Sequence, residues 1–256
     1  MKKIYKYIGI ISLCLLSFYY TEKVANYIKD KNPIMIELKD RVTNLEIDSI
    51  DSTIINNMYI IPGLSGKKVN INASYKNMKK EYDETKLVFY NTTPSISLKD
   101  NKDKIIIRGN KEKKEVSLIF ENITSISKYL IDNKYNIDLL ISEEKYDTSY
   151  EMINYSNNIT TYKRIDSFLK KNKLSNNLCF TKTDGISSLC KDKYIIKPSI
   201  ILNHSNFSHN LNTITNGEII LVEDSINKGE INLLLQYLNS QRIKITYLSD
   251  LIKEDR

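Results

Sequence analysis

Two short apolar runs separated by a helical pattern dominate the middle of the chain. The runs Val116–Phe120 and Ile137–Ile141 are each broken by one polar residue, which is typical of largely buried strands. Between them Ile123, Ile126 and Leu130 recur at i, i+3 and i+7, which places three apolar side chains on one face of a helix. This order predicts a βαβ unit with parallel strands and a right-handed crossover.

The same pattern returns near the C-terminus. Ile219–Val222 is a predicted strand, Lys244–Leu248 is a predicted last strand, and Asn227 with Glu230 forms a capping-box pattern that would start the helix between them. The apolar stripe of that helix consists of Ile231, Leu234, Leu235 and Leu238. Strands and helices alternate from Gly109 onward, so we predict an α/β fold, either a barrel or a wound sheet, and favour the barrel.

The N-terminal pattern is that of a membrane-targeting segment. Lys2, Lys3 and Lys6 precede an apolar run from Tyr7 to Tyr20, as in a secretory signal or a signal anchor. Because no small-x-small cleavage site follows, we favour an uncleaved anchor over residues 1–28 to a cleaved peptide or a buried helix. This interpretation predicts a single-pass protein of the cell membrane whose C-terminal domain is extracytoplasmic, with its lysines on the cytoplasmic side.

The remaining chain is predicted to have two parts. Residues 29–108 contain a stalk with a break at Pro33 and several short strand and helix patterns, which indicate a small α+β accessory domain. Residues 109–256 form the predicted α/β domain. Cys179 and Cys190 lie in this exported part, where a disulfide is permitted, but two free core thiols fit the sequence equally well.

The net charge of the chain limits the classes of binding partner that we expect. The formal net charge is +7 and the sequence pI is about 9.0, which favours anionic neighbours such as lipid headgroups or wall polymers. Lysines and acidic residues are mixed along the chain, and no basic cluster with interleaved aromatics occurs. We therefore expect no nucleic-acid partner.

Candidate chemistry lies where predicted strands end. Glu121 and Asn122 follow the first strand of the βαβ unit, and Glu223 and Asp224 follow Ile219–Val222. Because loops at the carboxyl ends of parallel strands converge, we expect these four side chains at one mouth of the fold.

Two segments resemble the polysaccharide deacetylases, the NodB-homology family. VSLIFEN, a helix and YNIDLLIS are similar to that family's opening, and GEIILVEDS, a helix and IKITYLSDLI are similar to its ending. The similarity covers residues 109–252, and the lead-in IIPGLSGKKVN also resembles exported Gram-positive members. It implies a (β/α)₇ barrel-like fold, with the small α+β attachment and the anchor helix before it, acting on N-acetylated sugars outside the cell.

The family's chemistry implies a divalent metal held by one Asp and two His, with a further Asp as base. Glu121 falls at the base position, and the metal positions are substituted by Asn122, Tyr155 and Ile159. Glu223 stands where the family has a late His, with Asp224 beside it. The family's Arg-x-Pro element has no counterpart in the stretch TKTDG at 181–185. Asn is a poor ligand in place of a carboxylate, and neither Tyr155 nor Ile159 supplies an imidazole.

The resemblance therefore suggests a degenerate member, a pseudoenzyme without cofactor that has lost its zinc or similar divalent ion. We expect it to bind a cell-wall glycan or an envelope protein, with Glu121, Glu223 and Asp224 as vestigial catalytic candidates. Two alternatives remain. One is an active deacetylase of N-acetylated cell-wall polysaccharide that uses Glu121, and the other is a glycosidase that uses Glu121 and Glu223 as paired carboxylates.

The two histidines of the chain do not by themselves indicate a new metal site. His204 and His209 are five residues apart in ILNHSNFSHNL, a poor spacing for joint coordination. A site there would need Glu223, Asp224 or Asp184 to join them, and we interpret both histidines as surface polar groups.

Overall fold

A computed structural model describes residues 2–78, 80–144, 147–155, 158–174, 177–185 and 188–256, with side chains from residue 11 onward. Chain contacts divide it into two compact units. The first consists of Met1–Asp48 and Gly66–Thr92, and the second of Ser49–Ser65 and Thr93–Arg256.

The helices and strands are numbered in chain order. Helices α1 to α8 are Lys2–Asp30, Pro33–Val42, Ile71–Asn77, Ser125–Asp132, Ile159–Lys171, Phe207–Leu211, Lys228–Ser240 and Leu248–Leu251. Strands β1 to β6 are Thr53–Ile55, Tyr59–Ile61, Gly66–Val69, Phe89–Thr92, Ile105–Ile106 and Glu115–Phe120. Strands β7 to β13 are Asp138–Ile141, Glu151–Asn154, Leu178–Phe180, Tyr194–Ile196, Ile200–Leu202, Ile219–Val222 and Lys244–Ile245.

The first unit contains α1, α2, α3 and the antiparallel pair of β3 and β4. The predicted break at Pro33 is confirmed, because α1 ends at Asp30 and α2 begins at Pro33. The side chain of Asn32 accepts a hydrogen bond of 2.9 Å from the backbone N–H of Ile34, which caps α2.

Helix α1 occupies the segment predicted to be a membrane anchor. Over the described part of the chain, no helix combines the length and the apolar character required to cross a bilayer. The anchor predicted for residues 1–28 is therefore not supported. The predicted lysines Lys2, Lys3 and Lys6 have side chains outside the described part.

The second unit contains two sheets. One has the order β11-β12-β6-β7-β8, with β13 also paired to β6, and its pairings are all parallel. The other has the order β1-β2-β5-β10-β9 and is parallel except for the β1–β2 hairpin. The predicted α/β class is confirmed.

The core of this unit has an inner and an outer layer. Side chains of both sheets meet in one inner cluster, which includes Ile106, Ile119, Leu140, Phe180 and Leu221. The opposite face of β6, β7, β8 and β12 packs against α4, α5 and α7 in an outer cluster. The inner cluster thus lies between the two sheets. The hydrogen-bonded ladder of β6 to β12, within the described residues, is divided between β8 and β9 and between β10 and β11.

Two element boundaries differ from the predicted ones. Helix α4 begins only at Ser125, because Thr124 and Ser127 form its capping box, so Ile123 lies before the helix and is 38% exposed. The predicted strand Lys244–Leu248 is shortened to β13, since Leu248 already begins α8. The capping box of Asn227 and Glu230 at the start of α7 is confirmed, with reciprocal hydrogen bonds of 3.1 and 2.9 Å.

The structure decides the state of two cysteines. Cys179 on β9 and Cys190 form a disulfide with a Cα–Cα distance of 5.4 Å, and both are buried. The alternative of two free core thiols is therefore wrong. Cys14 is free and exposed.

Candidate functional site

The register of β6 and β12 brings the predicted candidates together. Phe120 on β6 is the register partner of Val222 on β12, and the two strands are parallel. Glu121 and Glu223 each follow one of these partners, so both emerge from the same sheet edge. Parallel pairing thus produces the convergence that the sequence pattern indicated.

Asn122 and Asp224, the next residues along these two strand ends, are in contact. The carboxamide Nδ2 of Asn122 donates a hydrogen bond of 2.8 Å to Oδ2 of Asp224. Both residues are exposed at the mouth. The position that the sequence resemblance matches to the family's metal-binding Asp therefore presents an N–H donor, which bonds one carboxylate oxygen of Asp224.

Lys182 is a site residue that the sequence interpretation missed. It follows β9, and its ammonium forms an ion pair with Oε1 of Glu121, with about a third of each side chain exposed. The hydrogen bond to Glu121 raises the pKa of Lys182 above its ordinary value, and Glu121, Tyr155 and Glu223 act electrostatically in the same direction. The stretch at 181–185 lacks an Arg but does supply a cation. A lysine two residues after a buried strand was the available signal.

Tyr155 and Ile159 lie at the ends of two different elements. Tyr155 follows β8, and its ring makes an edge-to-face contact with Phe180 at a centroid distance of 5.6 Å. Ile159 is the first residue of α5 and is 54% exposed. The two residues therefore do not share a helix.

A cavity of about 250 Å³ opens beside Glu121. Its lining combines carboxylate, amide and hydroxyl groups with apolar surface. The residues that define it chemically are Glu121, Asn122, Ile123, Ser142, Glu143 and Tyr150. A cavity with mixed polar and apolar walls suits a ligand that carries both hydroxyl groups and apolar faces.

The histidines and Asp184 do not join this cluster. Nδ1 of His204 lies 2.8 Å from Oε1 of Glu230, and His209 lies within α6. Asp184 accepts hydrogen bonds of 2.6 Å from Lys197 and from the hydroxyl of Tyr59, and these two bonds lower its pKa. The interpretation of the histidines as surface groups agrees with their exposed positions.

The described residues offer no clustered set of ligands for a resident metal ion. Within the described ranges, no three side chains of the His, Cys, Asp and Glu types are grouped so that they could hold one. At the three positions that the sequence resemblance matches to the family's metal ligands, the structure has an amide that donates to Asp224, a ring packed on Phe180 and an exposed aliphatic side chain. None of them is a ligand that zinc prefers.

Comparison with known proteins agrees with this fold. No family model matches the sequence. The uncharacterised protein YlxY of Bacillus subtilis is 32% identical over 102 residues, which are 39% of this chain and 32% of that protein. The match therefore spans about a third of the length of this curated relative.

Two solved structures resemble nearly the whole chain. Wild-type BA3943 of Bacillus anthracis, a CE4 family pseudoenzyme, superposes with a TM-score of 0.59 at 17% identity, over 88% of this chain and 97% of that chain. A mutant of BA3943 with restored enzymatic activity gives the same TM-score and identity over 88% of this chain and 100% of that chain. The resemblance to the polysaccharide deacetylases is thereby confirmed, and this chain has the fold of the CE4 proteins.

Proposed function

We propose that this protein is a non-catalytic member of the deacetylase fold that binds glycan at the cell envelope. The observation that carries the proposal is the hydrogen bond from Asn122 to Asp224, because it puts a donor where metal-dependent deacetylation requires a carboxylate ligand. Tyr155 and Ile159, at the positions matched to the family's metal-binding histidines, also argue against metal-dependent deacetylation. A metal that activates water would have neither imidazole nor a free carboxylate at these positions.

The cavity beside Glu121 supports glycan as the ligand. Sugars present hydroxyl groups around apolar ring faces, and Ser142, Glu143 and Asn122 can bond hydroxyls while Tyr150 and Ile123 offer apolar surface. An extracytoplasmic location is part of the proposal. The disulfide between Cys179 and Cys190 supports it, since disulfides persist in oxidising compartments.

A direct test measures metal and turnover on the full chain. We expect no stoichiometric zinc, manganese or cobalt and no acetate released from N-acetylated peptidoglycan. One metal per wild-type chain with acetate release abolished by Glu121→Gln would overturn the proposal in favour of a deacetylase. New reducing ends without acetate would instead identify a glycosidase.

Binding is tested by co-sedimentation with insoluble peptidoglycan. Ile123→Ser removes exposed apolar surface at the cavity and should weaken binding several-fold, because burying the 38% of this side chain that is exposed contributes about 0.6–1.1 kcal/mol, out of about 1.5–3 kcal/mol for a whole aliphatic side chain. Leu233→Ser is the matched control, since Leu233 is an exposed aliphatic residue on α7 outside the cavity lining. Equal loss in both variants, or no sedimentation of wild type, would refute glycan binding at this cavity and direct attention to an envelope protein as the partner.

A further inference from the structure

Two carboxyl groups are neighbours at the start of β7 and β8, which is the end of the parallel sheet opposite the mouth. Asp138 begins β7 and Glu151 begins β8, and they are register partners on adjacent parallel strands. Asp138 is completely buried, whereas Glu151 is partly exposed. Two ionised carboxylates cannot occupy such a position at low cost, because a buried charge requires a counter-ion or a proton.

Both carboxyl groups hold the same element. The backbone N–H of Leu248 donates to both oxygens of Asp138 at 3.0 and 3.1 Å, and the N–H of Ser249 donates to Oε2 of Glu151 at 2.9 Å. The hydroxyl of Ser117 on β6 donates to Oδ2 of Asp138 at 2.7 Å. These bonds satisfy the first N–H groups of α8, whose N-cap residue Tyr247 makes no side-chain cap bond.

The segment that follows α8 ties distant parts of the same unit to the barrel. Oε1 of Glu254 accepts from the hydroxyl of Ser52 at 2.8 Å and from the N–H of Leu98 at 2.9 Å. Nε of Arg256 donates to the carbonyl of Ser65 at 2.8 Å. The position of α8 therefore decides whether the loops around Ser52, Ser65 and Leu98 keep their attachment.

We propose that Asp138 and Glu151 share one proton and act as a proton-linked clamp, which holds residues 247–256 on the barrel and releases them as the pH rises. When the shared proton leaves to solvent, two carboxylates face each other across neighbouring strands, and like charges at such distance repel. This repulsion is reduced most easily if α8 moves away and water reaches Asp138.

The electrostatics of the surroundings agree with this geometry. Burial raises the pKa of Asp138 well above its ordinary value, and the charge and hydrogen bond of Glu151 raise it further, while Ser117 and the N–H of Leu248 act in the opposite direction. Other titratable groups that act on the pair are Tyr247 and Lys253 of the C-terminal segment. Since the folded pKa is raised, the contribution to stability is complete below the unfolded pKa of about 3.9 and is lost as the pH rises through the folded pKa.

Hydrogen exchange of peptides from residues 246–256, in the full chain and corrected for intrinsic rates, tests the clamp. We expect wild-type protection to fall by about tenfold per pH unit between the ordinary carboxyl pKa of about 3.9 and the raised folded pKa of Asp138, and to level off above the folded pKa. Asp138→Asn should change less than about twofold over the same pH range, since the amide cannot lose a proton. Asp132→Asn is the matched control on exposed surface and should behave as wild type.

The hydrogen-exchange profiles show whether the clamp exists. A flat wild-type profile, or an equal slope in Asp138→Asn, would overturn the clamp. If Asp138→Asn does not fold, Glu151→Gln provides the second test, because it removes the repelling carboxylate and should flatten the profile as well. These outcomes do not depend on glycan binding, so failure of the clamp leaves the proposed function intact.

Discussion

Reduction of the disulfide between Cys179 and Cys190 should lower the stability of the second unit by a predictable amount. The two residues are 11 apart in the sequence. In the chain-entropy model, a cross-link that closes a loop of this length removes enough freedom from the unfolded chain to contribute about 2.8 kcal/mol at 25 °C. For a unit of this size, each kcal/mol corresponds to about 2–4 °C, so the midpoint of thermal unfolding should fall by about 6–11 °C.

Reduction is a cleaner perturbation than substitution here. Both sulfurs are buried beside Ile105, Ile195 and Tyr162, and the hydroxyl of Tyr162 lies 3.4 Å from Sγ of Cys179. Replacement by alanine would remove these contacts and leave a cavity, whereas reduction keeps the sulfur atoms in place.

The assay compares thermal unfolding of the Cys14→Ser protein with and without a reductant. The Cys14 substitution prevents cross-linking between chains through the exposed thiol. Mass spectrometry under both conditions establishes the oxidation state. A difference below about 1 °C between verified oxidised and reduced samples would refute the reasoning.

Two further predictions concern the ion pair at the mouth and the close backbone contact between Gly217 and Gly109. In a double-mutant cycle, Lys182→Met and Glu121→Gln should show a coupling free energy of about 0.5–1 kcal/mol, as is usual for partly exposed ion pairs. Urea unfolding measures it, and coupling near zero would contradict the ion pair. Gly217→Ala should destabilise by at least about 2 kcal/mol, because Gly217 has φ +87° and an added Cβ would meet the carbonyl of Gly109. Gly185→Ala is the control, expected within about 0.5 kcal/mol, since among the described residues a Cβ there meets only Thr183, at 3.7 Å. Equal effects of the two glycine substitutions would disprove the backbone argument.

The local pattern determined the central elements correctly. Strands β6 and β12 and helix α7 appear at the predicted positions because runs of apolar residues and capping boxes act within a few residues along the chain. The convergence of Glu121 with Glu223 was also predictable, since parallel strands end at one edge of a sheet.

The sequence alone did not predict where the last strand ends or which strands the early ones pair with. The predicted strand from 244 to 248 ends early because the carboxyl groups of Asp138 and Glu151, about a hundred residues away in sequence, bind the N–H groups of Leu248 and Ser249. Strands β1, β2 and β5 precede residue 109, yet they share a sheet with β9 and β10. Hydrophobic periodicity extends over a few neighbouring residues and therefore contains no information about pairing between strands that are distant in sequence.

The sequence by itself determined the order of strands and helices, the likeness to the deacetylase fold and the absence of imidazoles at positions 155 and 159, because these follow from residue identity and local period. The tertiary structure alone decided that Lys182 pairs with Glu121, that Asn122 donates to Asp224 and that Cys179 bonds Cys190. The physical reason is that ion pairs, hydrogen bonds and disulfides depend on distances between side chains that the chain brings together only when its sheets close around the inner core.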